Sequence, residues 1–172
     1  WKDSLRIQAV LKQRETEPFR NLGDFVASAF YPAATQLYEF GDTPFIRCVD
    51  CINYPLITQD QDDLFEKIPF SFVEESKGVN VLEKGDLVIT NIVEDYNVVA
   101  LSRTVLGIKK IRNIDPYYLL VFLRSRLGFQ QLLRQRELTI QYQLTLDRVK
   151  KVSIYKASHD FQSLIRKAAL KY

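Results

Sequence analysis

The first part of the chain alternates between short apolar, β-branched segments and turn-forming residues. Residues 45–52 are rich in β-branched and aromatic side chains and are bounded by turns, so they predict a strand. The turn Lys84-Gly85-Asp86 leads into a predicted strand over residues 87–90, and further strands are predicted over residues 98–101 and 105–110. This part of the chain therefore predicts a β-sheet structure.

The second part of the chain changes to the period of helices. Asp115 followed by Pro116 is typical of a capped helix start and predicts a helix over residues 116–127. Gly128 is expected to interrupt this helix, and a second helix is predicted over residues 129–136.

The two ends of the chain also predict helices. Residues 2–14 contain no Gly or Pro and are rich in helix formers. A short strand over residues 152–155 is followed by Ser158, which is expected to cap a final helix. That helix has an apolar stripe at helical spacing, formed by Phe161, Leu164, Ile165, Ala168 and Tyr172.

These elements predict an α+β (mixed α/β) fold, in which a compact sheet-containing domain has helices in its second half. A chain of 172 residues is long enough to form a single core. We expect an N-terminal helix or linker over residues 1–18, a main domain over residues 19–157, and a C-terminal helix of connecting or coiled-coil type over residues 158–172.

The composition excludes several classes of protein. Hydrophobic residues make up 47% and charged residues 26% of the chain, which excludes disordered, collagen-like and low-complexity sequences. No apolar run is long enough to span a bilayer. The chain begins at Trp1 and contains no Met, so we expect a piece of a longer, cytoplasmic protein without a secretory signal.

The charges are unevenly distributed along the chain. Residues 39–100 contain 13 acidic and 4 basic residues, a net charge of −9, whereas residues 101–151 contain 11 basic and 3 acidic residues, a net charge of +8. The basic segment is a candidate surface for binding a polyanion such as DNA. The alternative is a domain whose solvated charges happen to segregate.

Two short motifs suggest chemistry but have simpler interpretations. Cys48-Val49-Asp50-Cys51 has the spacing of a redox pair or half a zinc site, but the sequence lacks a second ligand pair. On a strand these thiols would face opposite sides, so we expect two half-buried cysteines and no metal site. Asp115-Pro116-Tyr117-Tyr118 is similar to the (Asn/Asp)-Pro-Pro-Tyr motif of amino-group DNA methyltransferases. The third residue differs and no glycine-rich cofactor loop is present, so a helix cap is the simpler interpretation.

Gln141-Tyr142-Gln143 follows the Arg-rich helical segment and is a candidate for base recognition. A Gln side chain can make two hydrogen bonds to the edge of adenine in the major groove. The alternative is an ordinary polar strand or loop.

Four segments together resemble a known family. They are Phe19-Arg20-Asn21-Leu22-Gly23-Asp24, Gly41-Asp42-Thr43-Pro44-Phe45-Ile46-Arg47, Leu82-Glu83-Lys84-Gly85-Asp86-Leu87-Val88, and the stretch from Ile114-Asp115-Pro116-Tyr117-Tyr118-Leu119 to Leu123-Arg124-Ser125-Arg126-Leu127-Gly128. Gln143-Leu144-Thr145, Val149 and Gln162 follow in the same order. In this order the segments resemble the target recognition domain of the DNA specificity subunit of type I restriction-modification systems, or the related domain of fused restriction-methylation enzymes.

The resemblance implies a non-catalytic reader of double-stranded DNA, with residues 19–157 as the recognition domain for one half of a bipartite target. The implied partners are an adenine methyltransferase (modification) subunit, a restriction subunit, and a second recognition domain or a second copy, bound through the terminal helices. S-adenosylmethionine is expected only on the partner methyltransferase, so this chain is expected to hold no cofactor. The stripe beginning at Phe161 would serve helix pairing.

The resemblance also assigns candidate DNA contacts. Residues in or beside the variable loops of the family are expected to read bases: Arg47, Asn53, Tyr54, Asn91, Tyr96, Asn97, Arg103, Gln141 and Gln143. Basic residues of the second half are expected to contact phosphates: Lys109, Lys110, Arg124, Arg126, Arg134, Arg148, Lys150 and Lys151. Two alternatives stay open, namely the C-terminal recognition domain of a fused methyltransferase-nuclease and a helix-mediated adaptor that does not bind DNA.

Overall fold

The computed structural model describes residues 19–32, 40–75, 81–135 and 144–171. The helix predicted over residues 2–14 lies outside them. Contacts divide the chain into two compact units, namely unit 1 (residues 1–25 and 112–172) and unit 2 (residues 26–111). The domains predicted over residues 1–18, 19–157 and 158–172 stay predictions.

Unit 2 consists mainly of short strands. In the described residues these are β2 (Val26–Phe30), β3 (Thr43–Ile46), β4 (Leu56–Ile57), β5 (Glu66–Ile68), β6 (Val81–Leu82), β7 (Leu87–Val88), β8 (Asn91–Val93), β9 (Val99–Leu101) and β10 (Gly107–Ile111). They form a five-stranded sheet in the order β2-β10-β7-β8-β4 and a four-stranded sheet in the order β5-β3-β9-β6. The pairs β4–β8 and β3–β9 are parallel, and the other pairs are antiparallel.

The core of unit 2 lies on both faces of the four-stranded sheet. Every residue of β3 is buried, and its side chains alternate between two hydrophobic clusters. Phe45 belongs to a smaller cluster with Ala100, whereas Ile46 belongs to a larger one with Leu101. Burial on both faces explains why residues 44–46 are apolar without alternation.

The strand predicted over residues 45–52 is wrong beyond Ile46, because helix α1 (Cys48–Asn53) begins two residues later. The carboxylate of Asp50 accepts a hydrogen bond from the backbone N–H of Arg47 at 2.8 Å. This local bond starts the helix in a segment whose β-branched residues favour a strand. A second short helix, α2 (Phe70–Glu75), follows β5.

The other predicted strands of unit 2 are present with shifted ends. The strand predicted over residues 87–90 ends at Val88, because Ile89 and Thr90 form a turn into β8. The strands predicted over residues 98–101 and 105–110 correspond to β9 and β10. Only their boundaries differ, which is the least certain part of such a prediction.

Unit 1 combines a two-stranded sheet with helices. Its described elements are β1 (Phe19–Asn21), α3 (Pro116–Arg124), α4 (Arg126–Arg134), α5 (Leu146–Val149), β11 (Ser153–Tyr155) and α6 (His159–Ala169). β1 and β11 pair antiparallel, and α6 packs against α3. Together the two units confirm the predicted α+β fold class.

The predicted helix start at residue 116 is confirmed. The Asp115 carboxylate accepts hydrogen bonds from the backbone N–H groups of Tyr117 at 2.9 Å and Tyr118 at 3.2 Å. Pro116 occupies the first helical position, where its missing N–H costs nothing. The Asp-Pro-Tyr-Tyr motif therefore forms the cap of α3.

The interruption predicted at Gly128 is wrong, because the break between α3 and α4 lies at Ser125. Ser125 has an extended backbone, and its hydroxyl accepts a hydrogen bond from Gly128 N–H at 3.2 Å. Gly128 therefore lies inside α4. A Cβ atom there would lie 2.1 Å from the carbonyl oxygen of Phe122, so the glycine permits the two helices to meet closely.

Candidate nucleic-acid interface

Charge separates between the two units as well as along the sequence. Unit 1 contains 17 basic and 8 acidic residues, a net charge of +9, whereas unit 2 contains 7 basic and 13 acidic residues, a net charge of −6. A net positive unit attracts polyanions over the range of a Debye length, about 10 Å at 0.1 M salt. Unit 1 is therefore the stronger candidate for contact with nucleic acid.

Six of the predicted phosphate-contacting residues belong to unit 1. Arg124 and Arg126 flank the break at Ser125, and both are exposed. Arg148 on α5, and Lys150 and Lys151 directly after it, are also exposed. Arg134 at the end of α4 is half-buried. Five of these six side chains are thus exposed, and their contact with phosphates stays a prediction.

The backbone at Lys150 is held in place. Its carbonyl oxygen accepts a hydrogen bond from Gly23 N–H at 2.9 Å, and the carbonyl of Val152 accepts one from Leu22 N–H at 2.8 Å. These bonds tie the α5–β11 connection to the short helical turn at Leu22–Asp24. The exposed ammonium groups of Lys150 and Lys151 therefore project from an ordered segment.

The other two predicted phosphate contacts, Lys109 and Lys110, lie on β10 in unit 2. Lys110 is exposed and Lys109 is half-buried. Lys110 has a left-handed backbone with φ of 54°, and its N–H donates to the Asp86 carboxylate at 3.1 Å. Burial raises the pKa of Asp86, partly offset by its hydrogen bonds from the Glu83 and Lys110 backbone N–H groups.

The predicted base-reading residues fall into several groups. Asn97 and Arg103 are exposed, as that role requires, and Tyr54 is half-buried. Gln141 and Gln143 lie outside the described residues, and so does the side chain of Asn53 at the end of α1.

Asn91 is buried, whereas a side chain that reads a base is expected to be exposed. It is fully buried, and its amide donates hydrogen bonds to the carbonyl oxygen of Cys51 at 3.0 Å and to that of Tyr54. These carbonyls lie at the C-terminal end of α1, where the helix leaves acceptors unpaired. Asn91 therefore caps α1 from β8 and is not exposed to read a base.

Tyr96 is also buried instead of exposed, and its hydroxyl donates to the Asp62 carboxylate at 2.8 Å. Burial, and then the bond to Asp62, raises the pKa of Tyr96. The hydrogen bond from Lys67, and then that from Tyr96, lowers the pKa of Asp62. The ring contributes to the core of unit 2, so Tyr96 too is corrected from base reader to structural residue.

Arg47 is half-buried and already paired within unit 2. Its guanidinium forms ion pairs with Asp50 at 3.4 Å and with Glu66. A guanidinium bound by two carboxylates has fewer donors left for a guanine edge. Arg47 thus connects α1 to β5.

The two cysteines lie near the same face of helix α1, whereas a strand would place them on opposite faces. Cys48 and Cys51 are three residues apart in α1. Cys48 is exposed, with its sulfur 3.5 Å from the Thr104 carbonyl oxygen. Burial raises the pKa of the partly buried Cys51 to about 12. Among the described residues, no group of His, Cys, Asp and Glu side chains could hold a metal ion.

The apolar stripe of the final helix is largely exposed. Ser158 caps α6 as predicted, since its hydroxyl accepts from Phe161 N–H at 3.4 Å. Phe161 is 49% and Leu164 62% exposed. Ala168 is exposed and Ile165 half-buried, and Tyr172 lies outside the described residues.

Two buried glutamines, Gln131 and Gln162, connect the elements of unit 1, and of the two only Gln162 belongs to the motifs that carry the family resemblance. Gln162 on α6 accepts from Asp115 N–H at 2.7 Å and donates to the Ala157 carbonyl at 2.8 Å. Gln131 on α4 exchanges two hydrogen bonds of 2.9 Å with the backbone of Ser153. Gln131 has no sequence signal, because a buried glutamine and a solvated one look alike in a helix.

A cavity of about 590 Å³ lies in unit 1 beside the start of α6. It is lined by Asn113, Ile114, Asp115, Pro116, Lys156, Ala157, His159, Gln162, Ser163 and Arg166. Arg166 forms an ion pair with Asp115 at 3.2 Å, and its guanidinium carbon lies 4.8 Å from the centre of the Tyr117 ring. The sequence carries no signal for this group, because its members come from three separate segments.

The helices of the described ranges are all too short or too polar to cross a bilayer.

Comparison with known proteins finds a solved structure with a similar fold. No protein-family model matches the sequence, and no curated protein matches it. Among solved structures, a match comes from work on the "complex assembly and conformational transition of the type I R-M system". The TM-score is 0.63 at 14% sequence identity, and the match covers 99% of this chain and 44% of the other. The resemblance seen in the sequence motifs is therefore confirmed at the level of the fold, since the chain has the fold of part of a chain from a type I R-M system.

Proposed function

We propose that the chain is the sequence-specific DNA-recognition component of a restriction-modification system and reads one half of a bipartite target. The observation that carries this proposal is the fold match to a type I R-M chain over 99% of the residues. Because one fold hosts many functions, the proposal also rests on the site chemistry below.

The charge distribution supports contact with duplex DNA. Unit 1 has a net charge of +9, and its exposed cations lie on ordered elements. Phosphate contacts fix the register of a protein on the duplex and make binding depend on salt. We assign this role to Arg124, Arg126, Arg148, Lys150 and Lys151, with Arg134, Lys109 and Lys110 as further candidates.

Base reading is proposed for side chains that remain exposed or lie outside the described residues. Asn97 and Arg103 are exposed in unit 2. Their amide and guanidinium groups match the edges of adenine and guanine, respectively. Gln141 and Gln143 keep the same proposed role, and Tyr54 remains a half-buried candidate.

The chain itself is proposed to be non-catalytic. Asp115, the first residue of the methyltransferase-like motif, caps α3 and pairs with Arg166, which supports a structural role for it. S-adenosylmethionine and the reacting groups would then be held by a partner adenine methyltransferase, and DNA cleavage would be performed by a restriction subunit.

The exposed stripe of α6 supports helix pairing with a second recognition domain. Phe161, Leu164 and Ala168 leave an apolar strip facing solvent. Covering such a strip with another helix removes apolar surface from water. A Leu164→Glu variant should then abolish any self-association that sedimentation detects in the wild-type chain.

The test of DNA recognition is selection of bound duplexes from a randomised pool at low and moderate salt. Enrichment of one short motif is the expected result. The double variant Lys150→Gln/Lys151→Gln should reduce the slope of log affinity against log salt by about 1.8, because each phosphate contact contributes about 0.9. Lys84→Gln, an exposed cation of unit 2, is the matched control and should leave the slope unchanged.

Two other results would contradict the proposal. Salt-dependent binding without an enriched motif would leave a basic surface that does not read sequence. Absence of binding at both salt concentrations would favour the adaptor that uses only the α6 stripe.

A further inference from the structure

We propose that the cavity beside the start of α6 binds a phosphate group. This goes beyond the duplex contacts proposed above, because Asn113, Lys156 and His159 are not among them. The phosphate would come from a DNA backbone or from a small phosphate-bearing molecule, and both present the same oxyanion chemistry.

The cavity is built from three segments of unit 1. Asn113 and Asp115 lie before α3, Lys156 follows β11, and His159 and Arg166 lie on α6. Its volume of about 590 Å³ is within the range of small-ligand sites, about 300–1,000 Å³. A second cavity of about 240 Å³ shares Asn113 and Lys156 and is also lined by Arg20.

The carboxylate and the buried amide that line the cavity are already used. One oxygen of Asp115 accepts two backbone N–H groups of α3, and the other accepts from Arg166. The Gln162 amide is bonded at both ends, to Asp115 N–H and to the Ala157 carbonyl. Asp24, in the smaller cavity, accepts from Asn21 N–H at 3.1 Å.

Donors remain. Within the described ranges, Lys156 and His159 make no ion pair or side-chain hydrogen bond, and Lys156 is exposed. An ammonium has three donors, a neutral imidazole has one, and the Asn113 amide has two. Arg166 uses one guanidinium nitrogen for Asp115, which leaves further N–H groups. A site whose one lining carboxylate is paired and whose Lys156 and Arg166 keep unused donors favours an anion.

Arg166 is also held in position before any ligand binds. The ion pair with Asp115 at 3.2 Å and the stacking on Tyr117 at 4.8 Å restrict its rotamers. Restriction in the unbound state lowers the entropic cost of binding. In addition, α6 has 11 residues, and its first turn leaves N–H groups of His159 and Asp160 without intrahelical acceptors.

The test is an NMR titration of the ¹⁵N-labelled 172-residue chain with inorganic phosphate, with adenosine monophosphate and with a short duplex, each against chloride at equal ionic strength. We expect saturable shifts of the backbone amides of Asn113, Ala157 and Ser163. Lys156→Gln should weaken the binding about tenfold or more, because it removes a charge-assisted hydrogen bond. Lys167→Gln, an exposed α6 cation that does not line the cavity, is the matched control and should bind as the wild type does.

The three titrations distinguish the source of the phosphate. Saturation by the duplex alone identifies a backbone phosphodiester, and saturation by inorganic phosphate or the nucleotide identifies a small ligand. Non-saturating shifts in all three, or equal weakening by Lys156→Gln and Lys167→Gln, would overturn the inference. If the chain binds phosphate but not the duplex, only the proposed function is contradicted. If phosphate causes no shift and Lys156→Gln leaves the duplex affinity unchanged, only the phosphate site in the cavity is contradicted.

Discussion

The two units differ in what their polar side chains do. In unit 2, with a net charge of −6, Arg47, Lys67 and Asn91 are bound to partners inside the unit. In unit 1, with a net charge of +9, Lys150 and Lys151 are exposed. A candidate polar residue in unit 2 is thus more often part of the architecture, whereas a cation in unit 1 is more often accessible to a ligand.

The charge pattern along the sequence matches the charge of the two units only in part. The basic segment over residues 101–151 contributes Arg103, Lys109 and Lys110 to the acidic unit. The N-terminal residues up to Phe25 and the segment from Arg112 onward together form the basic one. The chain leaves unit 1 and returns to it, so the sequence boundary of charge is not the structural one.

The largest expected effect compares a glycine from each unit. Gly128→Ala places a Cβ 2.1 Å from a backbone carbonyl oxygen of α3, so we expect it to destabilise the chain by at least about 3 kcal/mol. Gly85→Ala meets no atom within 4 Å and should cost only about 1–2 kcal/mol, the cost of a left-handed residue, since its φ is 87°. Urea denaturation measures both. Equal destabilisation would show that steric contact does not govern the α3–α4 corner.

The next effect separates two asparagines that the sequence placed in the same role. Asn91→Ala leaves two half-buried carbonyl groups without their donor at a fully buried side chain, and should reduce the free energy of unfolding by about 2–3 kcal/mol. Asn97→Ala, at an exposed position, should change it by no more than about 0.5 kcal/mol. Chemical denaturation of both variants provides the measurement. A small effect at Asn91 would show that its hydrogen bonds contribute no more to stability than the exposed Asn97 does.

A smaller effect is expected for the corresponding architectural residue of unit 1. Gln162→Ala removes the bonds to Asp115 N–H and to the Ala157 carbonyl, and should destabilise the chain by about 2 kcal/mol. Lys167→Ala on the exposed side of α6 is the control for helix propensity. Hydrogen exchange of the α3 and α6 amides should increase in the first variant only.

The smallest expected effect is a pH dependence in unit 2. The pKa of Asp62 is lowered by the hydrogen bond from Lys67 and then by that from Tyr96. An acid whose pKa is lower in the folded state stabilises the fold above its unfolded pKa of about 3.9, and this stabilisation is lost as pH falls through the folded pKa.

Asp62→Asn should therefore destabilise the chain at pH 7 by no more than about 1 kcal/mol, because the pair is partly exposed to solvent. The difference from the wild type should disappear at pH values below the folded pKa. Asp63→Asn, at the exposed neighbouring position, is the control. A difference that persists unchanged in acid would show that packing, and not ionisation, is responsible.

Several features were predictable from the sequence because their causes are local. Asp115 with Pro116, and Ser158, start helices through contacts within a few residues. The strands at β9 and β10 follow from short apolar segments between turns. The α1 helix has an equally local cause in Asp50, but the β-branched residues around it favour the opposite prediction.

Most of the candidate site could not be predicted in the same way. The burial of Asn91 and Tyr96 depends on carbonyl and carboxylate partners at least 34 residues away. The cavity beside α6 requires Asn113, Lys156 and Arg166 to meet from separate segments. Whether a polar side chain is available to a ligand depends on such partners.

The sequence by itself determined the α+β class, the caps of α3 and α6, and the order of motifs that resembles the recognition domains of type I systems. These properties depend on neighbouring residues or on the order of segments along the chain. Only the tertiary structure decided the division of charge between the units, the cavity beside α6 and the roles of the buried polar residues. The physical reason is that burial, pairing and close approach are relations between distant residues, and only the folded chain brings those residues together.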